Sequence, residues 1–400
     1  MKRSRIELTG PLAVHAAGFQ AELERLGYTA SPAKKHCYLL AHLSCWLDER
    51  GLDVADVATS RVEPFFAGRR AAGVANLRTR AALAPLIAYL RGLGVVGAAA
   101  APAPTTQAER FLDRFRAYLT SERGLVEGTV RFYVHIAGLL VNERATDGDV
   151  DLSGLSARDV TAFSTRVCEG RGLSSCRQAV SALRSFLRFL ALEGVSAVAL
   201  DDAVLAVAGW DPSLPRAISS TDVARLLNSC DRRRTIGRRD YAILLLLARL
   251  GLRGGEVVAM ELGDVDWRAG ELTVRGKGRR QDRLPLPVEV GEALAGWLTR
   301  RPTSASRRLF LRCVAPFVGL ADTGALRSVL ARACARAGLC YVSPHRLRHT
   351  TATELLRSGA ALTEIGQVLR HTSSVTTAAY AKVDHNRLRI IARPWPRSAA

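Results

Sequence analysis

Apolar residues recur at helical spacing along most of this chain, and the pattern falls into three parts. In the first, Leu77 to Val96 (LRTRAALAPLIAYLRGLGVV) has one apolar face and a closing Gly. Cys176 to Val195 (CRQAVSALRSFLRFLALEGV) repeats that form in the second part, and Ser60 to Phe66 (SRVEPFF) lies over Ala157 to Phe163 (ARDVTAF). The offset between the paired segments drifts from about 97 to 99 residues, so two copies of one small helical bundle are expected. In the third part, Ser220-Thr221-Asp222 caps a helix, and Arg239 to Leu250 (RDYAILLLLARL) is apolar almost all round, the pattern of a buried central helix. Glu271 to Arg275 (ELTVR), Gly276-Lys277-Gly278 and Arg283 to Leu286 (RLPL) predict a β-hairpin with a basic tip. The expected fold class is mainly α with a small β-sheet in the C-terminal domain.

Two stretches combine Pro with small residues and read as linkers, Gly97 to Thr106 (GAAAAPAPTT) and Gly209 to Ser220 (GWDPSLPRAISS). They predict an N-terminal helical domain at 1–98, a second helical domain at 105–207 and a third domain with a tail at 213–400.

Composition narrows the function. Lys and Arg total 57 against 37 Asp and Glu, a formal net charge of +20 spread over the whole chain, which favours a polyanionic partner. The 8 cysteines show no C-x-x-C pairing and lie among Ala, Leu and Val, as reduced core thiols of a cytoplasmic protein do. The most apolar run, Tyr241 to Ala248, is stopped by Arg249 and is too short to span a bilayer, so no membrane association is expected. No metal cluster, P-loop or dinucleotide fingerprint has supporting context, so neither metal nor cofactor is implied.

The chemistry lies in the third part. Arg253, Lys277, His345, Arg348, His371 and Tyr380 follow one another within Gly251-Leu252-Arg253-Gly254-Gly255-Glu256, Gly276-Lys277-Gly278, His345-Arg346-Leu347-Arg348-His349-Thr350, Leu369-Arg370-His371-Thr372 and Thr376-Thr377-Ala378-Ala379-Tyr380. Any one of these alone reads as an ordinary surface or core residue. Together, over roughly 213–390, they closely resemble the tyrosine recombinase, or phage integrase, family, whose catalytic set is Arg, Lys, His-x-x-Arg, His or Trp, and Tyr. The resemblance implies a site-specific DNA recombinase that cuts and rejoins strands through a 3′-phosphotyrosine intermediate without metal or ATP.

Each residue type suits that reaction. Attack on a phosphodiester adds charge to its non-bridging oxygens, and two guanidiniums, Arg253 and Arg348, clamp such oxygens while staying protonated at any working pH. His345, three residues before Arg348, shares its helix face and is placed for proton transfer with a tyrosine hydroxyl. His371 would add a hydrogen bond to an oxygen, Tyr380 is the nucleophile, and the family's general acid for the leaving 5′-oxygen falls on Lys277. Glu256 is expected to support Arg253 through hydrogen bonds, and His349 and His385 are expected outside the catalytic set. The sequence departs from the family at Arg370, where Gly is usual. A Gly there permits a tight turn, so Arg370 is expected either to displace His371 slightly or to add a phosphate contact.

The resemblance also implies partners: double-stranded DNA, and a homo-tetramer on paired DNA sites. Residues 105–207 fit the family's core-binding role, with Arg131, Arg177, Arg184 and Arg188 directed mainly at phosphates. The tail from Asp384 to Ala400, with Leu388, Ile390, Ile391 and Trp395, is expected to pack on a neighbouring protomer or on its own domain. Two other outcomes fit the same residues, a topoisomerase-like nicking and resealing enzyme and an inactive accessory DNA-binding protein.

Overall fold

The computed structural model describes residues 9–97, 106–146, 149–195, 200–207, 217–276, 280–371 and 377. Both expected linkers, Lys277, Tyr380 and the tail from Asp384 lie largely or wholly outside them. Residues 1–97 and 213–400 form one compact unit and 98–212 another.

In the first bundle, α1 (Ala16–Arg25), α2 (Ala30–Asp48), α3 (Glu63–Ala71) and α4 (Ala84–Gly92) enclose a core that includes Phe19, Leu43, Leu47, Phe66 and Leu90. Here α4 is shorter than the Leu77–Val96 pattern suggests. Pro85 lacks an amide hydrogen and fits only a first helical turn, so the helix begins at Ala84 after a 3-10 turn, Arg80–Leu83. The turn after α1 meets the loop near 317, where the Phe317 amide donates to the Leu26 carbonyl at 3.1 Å.

The second bundle has α5 (Gln107–Ser121), α6 (Glu127–Glu143), a two-residue hairpin of β1 (Ala145–Thr146) and β2 (Asp149–Val150), α7 (Ala157–Cys168) and α8 (Leu173–Leu192). Capping boxes start α5 at Thr106 with Glu109 and α7 at Ser156 with Asp159. Phe115, Phe163, Phe186 and Leu190 fill its core. Arg188 is paired with Asp201 at 2.7 Å and Arg184 donates to the Val204 carbonyl at 2.9 Å. Two of the four arginines expected to face phosphates therefore tie the 200–204 turn to α8.

The third part starts with α9 (Ser220–Asn228), capped one residue earlier than expected, by Ser219 accepting from the Asp222 amide at 3.0 Å. α10 (Thr235–Arg249) is the central helix, with Ala242 to Leu247 wholly buried. Burial of each Leu or Ile there contributes roughly 1.5–3 kcal/mol of transfer free energy, so α10 is the scaffold on which the other helices are set. After α11 (Gly254–Ala259) comes an antiparallel sheet of β3 (Val265–Asp266), β4 (Glu271–Arg275) and β5 (Gln281–Pro285). Arg275 pairs with Gln281, and the Gly276 amide donates to the Arg280 carbonyl at 2.8 Å. Arg275 also donates to the buried Asp264 carboxylate at 2.7 Å, which anchors the end of β4. The chain continues through α12 (Val288–Leu298), α13 (Thr323–Ala337), α14 (Pro344–Arg357) and α15 (Leu362–Val368).

Cys176, Cys230 and Cys334 are buried as expected. Cys340, in contrast, is exposed, because the chain leaves α13 at Gly338 before reaching it. Among the described residues no helix is long and apolar enough to cross a membrane.

Candidate active site

Three segments meet at the candidate site: the turn from α10 into α11, the first two turns of α14, and the turn after α15. The Thr351 hydroxyl donates to the Ala248 carbonyl at 2.8 Å and fixes α14 against the end of α10. Gly251 then turns the chain at φ +56°, and a Cβ there would stand 2.7 Å from Leu369 Cδ2. Both the left-handed backbone and the close approach call for Gly.

Arg253 is the N-cap of α11 and its side chain is 45% exposed. Its Nη1 donates to Glu256 Oε1 at 2.8 Å, its amide to Glu256 Oε2 at 2.8 Å, and its Nη2 to the Arg370 carbonyl at 3.2 Å. Glu256 is buried, so the supporting role expected of it is filled by direct contacts. Arg348 is 2% exposed; its Nη1 donates to the Gly251 carbonyl at 2.6 Å and its Nη2 to the Leu369 carbonyl. The two guanidiniums thus come from elements far apart in sequence and are pinned on adjacent carbonyls of one turn.

That turn ends α15 with Arg370 in the left-handed conformation at φ +56°, where a Gly is usual. The Arg370 amide donates to the Gln367 carbonyl at 3.0 Å and the His371 amide to the Gly366 carbonyl at 2.9 Å, the double hydrogen bond that closes such helix ends. A non-Gly residue in this region costs about 1–3 kcal/mol and persists where its surroundings hold it. What holds Arg370 is Glu256: Arg370 Nη2 lies 2.8 Å from Glu256 Oε2, with both side chains under 5% exposed. Arg370 Nη1 donates to the Val368 carbonyl at 3.1 Å. The sequence leaves Arg370 either to displace His371 slightly or to add a phosphate contact; in the structure its guanidinium turns inward and meets the buried Glu256 carboxylate.

His345 is exposed at the start of α14, where Ser343 caps the helix and Pro344 sits in its first turn. Desolvation by the protein packed around the ring, then the Arg348 and Arg253 cations, lower its pKa even though part of the residue remains open to solvent. One turn on, the half-buried His349 meets the His345 ring edge-on at 4.3 Å between centroids. Burial, His345 and Arg348 hold His349 down to about 4. His349, expected to sit behind the catalytic set or at the surface, lies against His345 at the i, i+4 spacing of α14. His371 Nδ1 lies 2.6 Å from the buried Thr377 hydroxyl, and burial followed by Arg348, Arg253, His349 and Arg370 lowers its pKa to about 4. The described residues therefore bring Arg253, His345, Arg348 and His371 into one electrostatic neighbourhood; Lys277 and Tyr380 lie outside the described residues.

Residues 216–387 match the model of the phage integrase family, and residues 112–194 match that of its N-terminal SAM-like domain. A candidate integrase/recombinase of Sinorhizobium fredii, y4rA, is 39% identical over 98% of this chain and 96% of its own length.

The chain belongs to the phage integrase family.

It is a site-specific recombinase of the tyrosine type, in a family whose chemistry is strand exchange through phosphotyrosine. The tyrosine recombinase XerC of Oceanobacillus iheyensis is 31% identical over 71% of this chain and 94% of its own. In fold, the chain is similar to the XerH site-specific recombinase bound to its difH substrate, with a TM-score of 0.56 at 18% identity over 73% of this chain and 97% of that one. This agrees with the mainly helical architecture and small sheet read from the sequence.

Proposed function

We propose that this recombinase cleaves double-stranded DNA with Tyr380 as the nucleophile, Arg253 and Arg348 as the clamp on the scissile phosphate, and Lys277 as the acid for the departing 5′-oxygen. The observation that carries the reading is the pinning of Arg253 and Arg348 on the adjacent carbonyls of Arg370 and Leu369. Two guanidiniums set before substrate arrives need no reorganisation as charge grows on the non-bridging oxygens. His345 and His371 enter as neutral imidazoles, able to accept one proton and donate another. Tyr380 would give its phenol proton to His345, attack phosphorus to form the O–P bond, and break the bond to the 5′-oxygen as Lys277 gives that oxygen a proton. Rejoining runs the same steps backward, and the ester stores the bond energy between them.

The second bundle, with its own buried core and its SAM-like match, fits the core-binding role at 105–207, and residues 1–98 add a further helical bundle before it. Assembly as a homo-tetramer on two paired sites completes the proposal, since exchange between two duplexes uses four cleavages.

The test is covalent capture. A pool of nicked duplexes of randomised sequence loses the short downstream strand on cleavage and should trap the wild-type protein as an adduct through its 3′-phosphate. Tyr380→Phe should yield none while binding the captured duplex as well as wild type does. Adducts formed by the Phe variant at the normal yield would refute the assignment of Tyr380.

A further inference from the structure

Glu256 brings one negative charge into the site and meets two arginines. Arg253 takes Oε1 with Nη1, while Oε2 is occupied by Arg370 Nη2 and the Arg253 amide. A carboxylate facing a single guanidinium takes it as a two-pronged pair, the stronger arrangement. With Arg370 on Oε2 that pair is blocked, and Arg253 Nη2 turns to the Arg370 carbonyl instead. We propose that Arg370 is a positioning residue for Arg253: by sharing Glu256 and presenting its own carbonyl, it keeps Arg253 turned toward the phosphate position instead of folded back onto Glu256.

The left-handed turn alone does not account for this residue. Gly makes the same turn without strain, so a purely conformational position would be served better by Gly than by a buried guanidinium. The Arg370 side chain is 3% exposed, and its Nε is buried without a hydrogen-bond partner, which is a further cost of keeping it there. In return, among the described residues, it gains the ion pair with Glu256 and the Nη1 bond to the Val368 carbonyl. The inference rests on the reading of Arg253 as a phosphate clamp.

Arg370→Gly is the direct test, because it keeps the backbone turn and removes the side chain that reaches Glu256. Single-turnover cleavage of the captured duplex should fall roughly tenfold to a hundredfold, the scale of a small misplacement at a reacting centre, with duplex affinity within about twofold of wild type. Adding Glu256→Gln should recover much of the rate, since a neutral amide no longer draws Arg253 into a two-pronged pair; this variant also leaves no unpaired buried charge should Arg370→Gly fail to fold. In an Arg253→Ala background, Arg370→Gly should cause little further loss, because residues acting through one group are not additive. Arg370→Gly cleaving at the wild-type rate, or a full additional loss in the Arg253→Ala background, or no recovery with Glu256→Gln, would each overturn the proposal. Arg253→Ala cleaving as fast as wild type would instead refute the clamp reading on which it rests.

Discussion

The rings of His345 and His349 stand edge-on at 4.3 Å on successive turns of α14, and both have a lowered pKa. Two imidazoles this close, with Arg348 beside both and Arg253 also acting on His345, cannot both carry charge without strong repulsion. The neighbouring guanidiniums and burial thus favour the neutral form of His349 and His371, both held at about 4.

This arrangement predicts a stability profile. His349 and His371 are held at about 4 in the folded protein against an ordinary value near 6.5. Their folded pKa values lie below the unfolded ones, so the unfolded chain binds more protons below pH about 6.5. Stability should be flat above that pH, fall as pH drops toward about 4, and level off below it as far as these two groups are concerned. Denaturant titrations at pH 7 and pH 5 check this; His371→Gln should shrink the difference, and an unchanged slope in that variant would contradict the assignment.

Arg253→Ala and Arg348→Ala should each lower cleavage by about a hundredfold or more, the scale for losing a transition-state charge donor. Arg348→Lys should rescue poorly, since one ammonium cannot reach the Gly251 and Leu369 carbonyls together and still offer a flat donor edge. Single-turnover rates on the captured duplex decide the matter, and a Lys variant at full rate would exclude a fork-shaped contact.

Gly251→Ala should destabilise the protein by about 1–3 kcal/mol for its left-handed backbone, with an added term for the close approach to Leu369. It should also slow cleavage, because the Gly251 carbonyl holds Arg348. Thermal unfolding alongside cleavage rates tests both effects; a variant with wild-type stability would show that the turn can relax.

Lys277→Ala should be slow on ordinary DNA because an alkoxide leaves poorly without a proton. Replacing the 5′-bridging oxygen with sulfur removes most of that need, so the variant should cleave the phosphorothiolate at close to the wild-type rate, whereas Arg348→Ala should stay defective on both substrates. Equal impairment of Lys277→Ala on both would move the acid elsewhere.

The sequence by itself carries the order Arg253, Lys277, His345, Arg348, His371 and Tyr380, and it was the resemblance of that order to the tyrosine recombinase family that marked these residues as the candidate site. It also determined the central helix, since a run such as Ala242 to Leu247 has no face that water can share. The helix start at Ala84 depended on where Pro85 is tolerated, and the short strand β3 depended on pairing with β4, a non-local bond that no periodicity announces. Only the tertiary structure decided what Arg370 does: a charged residue in a turn pattern reads as facing water, and it turns inward here because Glu256, more than a hundred residues earlier, is buried within 2.8 Å of it. The same holds for the alignment of Arg253 with Arg348. Their joint position is set by two adjacent carbonyls at the end of α15, and a backbone carbonyl has no signature in the sequence.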